Sequence, residues 1–396
     1  MQYGGYDRTQ SFDYEPTDPD NLPPVRRGYD PMQPIRPAGL QQYYQQPVPK
    51  PKKPKKRRRW GRWVALTFAI LLVVVLVLGI IVGQRVYAFG QAISTQSPLS
   101  SQLDFSGTGR INLLVMGYGG SGHDGAYLTD SLLVISVQPQ TGQTALISVP
   151  RDLWVQIPPD SGQYGKINSA YEYGLYNGYG TEQAGKVAAG DIAARKISDV
   201  TGLPVKYWLT LDFSGFRELV DALGGVDVNV QHSFTALYPK NDDPSIDASY
   251  ITVQFKAGQQ HMDGAQAIAY ARARKVTGGD LAEGTDFARS ARQQILIKAI
   301  VSKMTQLSEW PHFFGAMDAL QKSLYTNLSA YDLFKLVRKM DLTNPKHIGL
   351  SNQNVLVDGT SNDGQYILQP QNGDWNLVQQ YIQQQLNSSS GSQSGG

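Results

Sequence analysis

The sequence predicts an α/β domain that follows a single membrane-spanning helix and a disordered N-terminal tail. Two observations carry this expectation. Residues 63–82, WVALTFAILLVVVLVLGIIV, run for twenty positions without a charge. A helix of that length spans about 30 Å, the thickness of a bilayer's hydrocarbon core. From Arg110 onward, short apolar runs of strand length alternate with longer segments of helical period, the pattern of an α/β domain.

Residues 1–49 are rich in Tyr, Gln, Pro, Asp and Gly and show no apolar period. They lack the hydrophobic surface to offset the entropy of ordering, so disorder is expected. Residues 50–62 carry nine Lys or Arg and no acid. The only nearby charge beyond the apolar span is Arg85. The positive-inside rule therefore puts residues 1–62 in the cytoplasm and the chain after the span on the outer side, with the lipid bilayer as a partner. Trp60 and Trp63 stand where interfacial anchors belong. The expected division is a tail over 1–62, a transmembrane helix over 63–83, a linker over 84–107, a globular domain over 108–386 and a disordered end over 387–396.

The formal net charge of the 396 residues is +3. Without the nine cations of the basic run the remainder carries −6. The folded part is thus not globally basic, which argues against a nucleic-acid surface, and any anion site must be a local cluster. There is no cysteine, which excludes disulfides and thiolate zinc, and the five histidines have no metal-ligand spacing.

Within the domain, residues 111–116 form a first apolar run. SLLVISV (131–137) and TALISV (144–149), split by Gln-Pro-Gln-Thr-Gly, predict a hairpin. Residues 184–200 suit a helix and 205–211 a strand; 214–223 is an amphipathic helix stopped at Gly224-Gly225. Residues 226–230 alternate as a strand, while 264–273, 286–304 and 329–340 have helical period. Ser329-Ala-Tyr-Asp332 has the form of a helix cap. WNLVQQYIQQQL predicts a last helix.

Five motifs hold the residues suited to chemistry. Asp130, just before a strand, offers a hard oxygen ligand; the bland role is a turn cap. Arg151 follows Pro150 at a strand end, where it is thrown clear of the sheet or simply pairs with Asp152. Lys166 and Asn168 share a face if their segment is extended. Arg272 and Arg274 point apart on a helix and converge only if it ends near Arg272. In DFARSARQ, Asp286, Arg289 and Gln293 share a helix face with Arg292 flanking it. Guanidinium forks bind phosphate bidentately, and carboxylates beside them supply a metal ligand or a base. No Gly-x-x-x-x-Gly-Lys-Ser/Thr loop and no Gly-x-Ser-x-Gly elbow is present.

The segments INLLVMG, LTDSLLVISV, TALISVPRDLWVQIP, KINSAYEYG, DFSGFRELVDALGGVDVNV, GQQHMDGAQAIAYARAR and DFARSARQQILIKAI, in this order, resemble the LytR-CpsA-Psr family. They cover about half of the chain, from about 110 to 305. The resemblance implies an αβα sandwich around a central mixed β-sheet, with an apolar pocket for a polyprenyl chain. It implies a transferase that moves a glycopolymer from a polyprenyl-pyrophosphate carrier to peptidoglycan as a phosphodiester, with Mg²⁺ (or Mn²⁺). Hydrolysis by water and non-catalytic polymer sensing are the alternatives. By the same resemblance Asp130 is a metal carboxylate, and Arg151, Arg272 and Arg274 bind pyrophosphate. Lys166, Asn168 and Gln293 support them, and Asp286, Arg289 and Arg292 form the catalytic group. Many family members carry a second metal aspartate where this chain has Gly119; Asp124, beside His123, is the expected replacement.

Overall fold

A computed structural model describes residues 60–96, 101–120, 125–177, 182–240, 248–304, 306 and 310–388. Asp124, the tail before Trp60 and the end after Ser388 lie outside the described residues. By contacts the chain divides into units 1–64 and 65–396. Of the first, only the opening turn of a helix is described.

In chain order the elements are α1 (Trp60–Ile93), β1 (Ile111–Tyr118), β2 (Thr129–Val137), β3 (Gln143–Val149), β4 (Trp154–Gln156) and β5 (Tyr164–Lys166). Next come α2 (Ser169–Tyr176), α3 (Glu182–Thr201), β6 (Val205–Asp212), α4 (Phe213–Ala222), β7 (Val226–Val230), β8 (Phe234–Pro239), β9 (Tyr250–Phe255) and β10 (Gly258–Met262). The rest are α5 (Gly264–Arg272), β11 (Lys275–Gly279), α6 (Asp286–Met304), α7 (Trp310–Leu320), β12 (Leu324–Thr326), α8 (Ala330–Lys339), β13 (Asp341–Gly349), β14 (Leu356–Thr360), β15 (Tyr366–Pro370) and α9 (Trp375–Asn387).

Thr67–Ile93 is long and apolar enough to cross a membrane, and none of its most apolar window is buried in the protein. The helix runs ten residues past the expected end at 83. The segment expected as a linker is therefore helical over its first ten residues, because QRVYAFGQAI contains no proline to stop it. Ile93 is buried, Ser94 makes a bridge to Thr326, and Arg85 pairs with Asp318 at 3.3 Å. The linker's end is also fastened. The buried Asp332 carboxylate accepts from Gln102 N (2.6 Å) and Ser101 Oγ (3.0 Å), and Leu103 beside them is buried.

The central sheet has the order β12-β6-β1-β2-β3-β13. β1 pairs in parallel with β6 and β3 with β13, while β1–β2, β2–β3 and β6–β12 are antiparallel. Successive side chains of a strand point to opposite faces. Leu114, Met116, Leu132, Val134 and Ile147 accordingly pack under α2, α3 and α9, in a cluster with Ala193, Ile197, Val378 and Ile382. Leu113, Leu133, Ile135 and Leu146 face the other way, against Leu336 and Leu333 of α8 and Ile297 of α6. This is the αβα sandwich with a mixed sheet. A second core joins α4, α5, α6, α7 and β7 to β8 and β9.

Residues 306–386 are integral to the same domain, since β12 and β13 form both edges of the sheet and α8 and α9 cover its two faces. The β8–β9 and β14–β15 hairpins were not anticipated from the sequence.

Candidate functional site

The strands β1, β6, β3 and β13 all end at one edge of the sheet, and β2 begins there. Loops at the carboxyl ends of parallel strands are where α/β sheets ordinarily hold ligands. Asp130 opens β2 and Arg151 follows β3, so the antiparallel register of those strands brings them together. Arg151 Nη1 contacts Asp130 Oδ1, and its Nε lies 3.5 Å from Asp152 Oδ2. Lys166 Nζ, at the end of β5, donates to Asp152 Oδ1 at 2.8 Å.

α5 ends at Arg272, as convergence required, and Ala273 leaves the helix at ψ 128. The two arginines nevertheless take different partners. Arg274 donates to Asp286 Oδ1 at 3.0 Å. Arg272 lies over the Phe213 ring at 4.0 Å and donates to Tyr238 Oη at 3.2 Å. Asp286 sits in the first turn of α6, and the cap itself is Thr285, whose Oγ1 accepts from Ala288 N. The Asp286 carboxylate is thereby left to side chains, and Arg289 Nη1 meets the same Oδ1 at 2.9 Å. Gln293, one turn on, accepts from Ser131 Oγ at 2.8 Å and ties α6 to β2.

Arg292 stands apart from this cluster. It is 2 % exposed, and its fork donates to Tyr270 O, Ala273 O, Glu283 O and Glu283 Oε2. A guanidinium with its donors so occupied is a fastener between α5 and α6. Its flanking position on the helix face explains this: α6 presents Arg289 to the site and turns Arg292 into the α5 loop. Asn168 is also displaced from expectation. It is the N-cap position of α2 with helical backbone angles, so it does not share an extended face with Lys166. It is buried and its carbonyl accepts from Thr129 N, which orders the start of β2.

The charges are crowded. Desolvation holds Arg274 below the usual arginine range, and the neighbouring Arg151 guanidinium pushes the same way against three aspartates. Burial also opposes the charge of Arg151, but Asp130 and Asp152 outweigh it and hold the group above its ordinary range. The Nε atoms of Arg151 and Arg289 are buried and lack a hydrogen-bond partner among the described residues. Buried donors are seldom left so, and two of them on neighbouring guanidiniums fit a site for an anion.

Asp130 and Asp286 provide carboxylate oxygens only, the donor set that suits a hard dication such as Mg²⁺ or Mn²⁺. A tighter group of possible ligands, His232, Asp280 and Glu283, lies elsewhere, and there Glu283 is already engaged by Arg292. Beside Arg272, the ring of Tyr238 borders a cavity of about 610 Å³ with a mixed lining, Ile251, Val253 and Phe255 on one side and Arg217, Lys240 and Asp263 among its polar residues.

The LytR_cpsA_psr family profile matches residues 81–384, more than half of the chain. The chain belongs to the LytR-CpsA-Psr family. It is 29 % identical over 271 residues to the polyisoprenyl-teichoic acid–peptidoglycan teichoic acid transferase TagU of Bacillus mycoides, covering 65 % of this chain and 78 % of that one. It is 29 % identical over 222 residues to the corresponding transferase TagV of Bacillus subtilis, covering 55 % of this chain and half of TagV. The fold is similar to that of the crystal structure of B. subtilis TagV, with a TM-score of 0.50 and 22 % identity over 72 % of this chain and 99 % of that one. A protein from Streptococcus agalactiae, gbs0355, has the same fold, with a TM-score of 0.53, 24 % identity, and 73 % and 92 % of the two chains covered.

Within this LytR-CpsA-Psr chain, sequence reasoning undervalued Asp152, which joins Arg151 to Lys166, and missed the contact of Ser131 with Gln293. Asp152 was visible only as Arg151's neighbour.

Proposed function

We propose that this chain is a membrane-anchored phosphotransferase that moves a glycopolymer from a polyprenyl-pyrophosphate carrier onto peptidoglycan. The observation that carries the reading is the crowding of Arg151, Arg274 and Arg289 around Asp130, Asp152 and Asp286 at the carboxyl edge of the sheet. The aspartates hold these guanidiniums close together, and forks of this kind bind the oxygens of a pyrophosphate bidentately. The printed names of the TagU and TagV relatives supply the donor and acceptor class.

In this reading Arg151, Arg274 and Arg289 clamp the pyrophosphate oxygens, with Lys166 holding Asp152 in place behind them. Arg272 guards the passage to the cavity, whose apolar wall takes the first isoprene units of the carrier. Gln293 fixes α6 against Ser131 and so sets the height of Arg289. Arg292 braces the turn that carries Arg274. Asp130, with Asp124, would hold Mg²⁺ or Mn²⁺. Such an ion neutralises pyrophosphate charge and lowers the cost of expelling a phosphate. The second oxygen of Asp286 takes the proton of the acceptor hydroxyl as that oxygen bonds to phosphorus. The bond to the carrier's phosphate breaks in line, and polyprenyl monophosphate leaves. The arginines stabilise the charge that grows on it, an arrangement fixed in advance of the reaction. The α1 helix would anchor the domain beside its lipid substrate, with the basic tail cytoplasmic and the domain outside.

The test is turnover by the full chain in detergent with a polyprenyl-pyrophosphate-linked glycan, Mg²⁺ and peptidoglycan strands. Release of polyprenyl monophosphate should accompany attachment of the glycan. Asp286→Ala should lower both by about a hundredfold or more. Release without attachment would make the protein a hydrolase, and binding without release would make it a sensor.

A further inference from the structure

The β14–β15 hairpin is fastened to the site yet contributes nothing to the cluster of arginines. Leu368 N donates to Asp152 O at 2.9 Å, and Leu368 makes a bridge to Leu153. The strand β15 therefore lies against the segment that presents Arg151 and Asp152. Two residues earlier on that strand stands Tyr366, 49 % exposed. Its hydroxyl donates to Asp358 Oδ1 at 2.6 Å across the hairpin. Asn352 Nδ2 donates to both oxygens of the same carboxylate, at 3.1 and 2.9 Å. Phe287, the residue after Asp286, is 66 % exposed, and its ring packs close to Gly349.

These side chains are held in place while remaining open to solvent. Partial desolvation and Asp358 push the Tyr366 phenol above its ordinary range. The Leu153–Leu368 bridge is parallel, so Tyr366, two residues before Leu368, lies level with Arg151, two residues before Leu153. A half-exposed ring kept rigid by hydrogen bonds, rather than by burial, presents a flat apolar face with polar groups at its border. That combination suits a pyranose, whose axial C–H groups form an apolar face and whose vicinal hydroxyls need a planar acceptor and donor. Asp358 supplies acceptor lone pairs and Asn352 an amide.

We propose that Tyr366, with Asp358 and Asn352, forms the acceptor subsite, a seat for a sugar ring of the wall glycan that delivers its hydroxyl to Asp286. The assignment rests on the transferase reading above. It makes Tyr366 a residue of acceptor binding, separate from the donor clamp.

The test uses the full chain in nanodiscs, with soluble uncrosslinked peptidoglycan glycan oligosaccharides as acceptor probe and a short-chain polyprenyl-pyrophosphate disaccharide as donor. Oligosaccharide affinity is measured directly by calorimetry and as the acceptor KM in turnover. Tyr366→Ala and Asp358→Ala should each weaken oligosaccharide binding by about tenfold, with donor affinity held within about twofold and an unchanged thermal midpoint. Tyr366→Phe, which keeps the ring, should fall between. Three results would overturn the assignment: oligosaccharide affinity unchanged in both variants, donor affinity falling in parallel, or no oligosaccharide binding by the wild type. Failure of the transferase reading shows separately, as wild-type protein that releases no polyprenyl monophosphate.

Discussion

Two arginines three residues apart on one helix illustrate how little residue type says about role. Arg289 and Arg292 are both buried, yet Arg289 pairs with Asp286 and its Nε has no partner among the described residues, while Arg292 has its fork filled by three carbonyls and Glu283. Their alanine variants should therefore fail differently. Arg292→Ala leaves Glu283 and three carbonyls without their donor, and breaking a buried pair of this kind costs about 3–5 kcal/mol. Its thermal midpoint should drop by many degrees. Arg289→Ala removes one bond to a half-exposed Asp286 and should melt near the wild-type temperature while turnover falls by about a hundredfold. Calorimetry and turnover on the same two preparations check this, and equal melting points would refute the bracing role of Arg292.

At the scale of elements, α3 lies unusually close to β6. A Cβ on Gly190 would sit 2.1 Å from the Trp208 ring, and Trp208 is fully buried with its Nε1 donating to Asp191 at 2.8 Å. Gly190→Ala must displace the helix or the indole, and overpacking of this sort costs about 1–3 kcal/mol. Urea unfolding should show the loss, together with a shift in tryptophan emission. Elements with a strong period were legible in the sequence: the β2–β3 hairpin, α3, α4, α6, α8 and α9 all lie where apolar spacing put them. What escaped was set by tertiary contact. FTALYP is short and ends in proline, YITVQF buries little beyond Phe255, and the two form because each pairs with the other. At the site, the arginines and aspartates were visible as types at element ends. Their division into clamp and brace was not, because it depends on which way α6 is turned by the packing of Leu296 and Ile300.

For the whole molecule, the junction between helix and domain matters most. α1 continues eleven residues beyond Val82, about 17 Å of rise, before Ile93 and Ser94 meet the domain. Phe89 packs against the second core and Arg85 reaches Asp318. In the membrane-anchored state proposed above, a docked helix of fixed length would hold the site at a set height over the bilayer, which a flexible tether would not. Ile93→Asp places a charge in that buried contact and should free the domain to swivel. Turnover of a long-chain donor in vesicles should fall by about tenfold, while a short-chain soluble donor is processed within about threefold of wild type. Equal losses on both donors would show that the junction serves stability alone.

The order of strands has a further consequence for how the protein is made. The four strands β6-β1-β2-β3 are complete once residue 212 has been synthesised, but the strands that flank them arrive only with residues 324–349. At ordinary elongation rates that interval is on the order of ten seconds. Throughout it the nascent ribbon has two raw edges, the kind of surface on which neighbouring chains pair and precipitate. A message cut short before residue 320 would encode every arginine and aspartate of the site and still yield a sticky, incomplete product. The late segment thus acts on the ribbon as a finishing border, and the vulnerable moment in this protein's life comes before it has any substrate to meet.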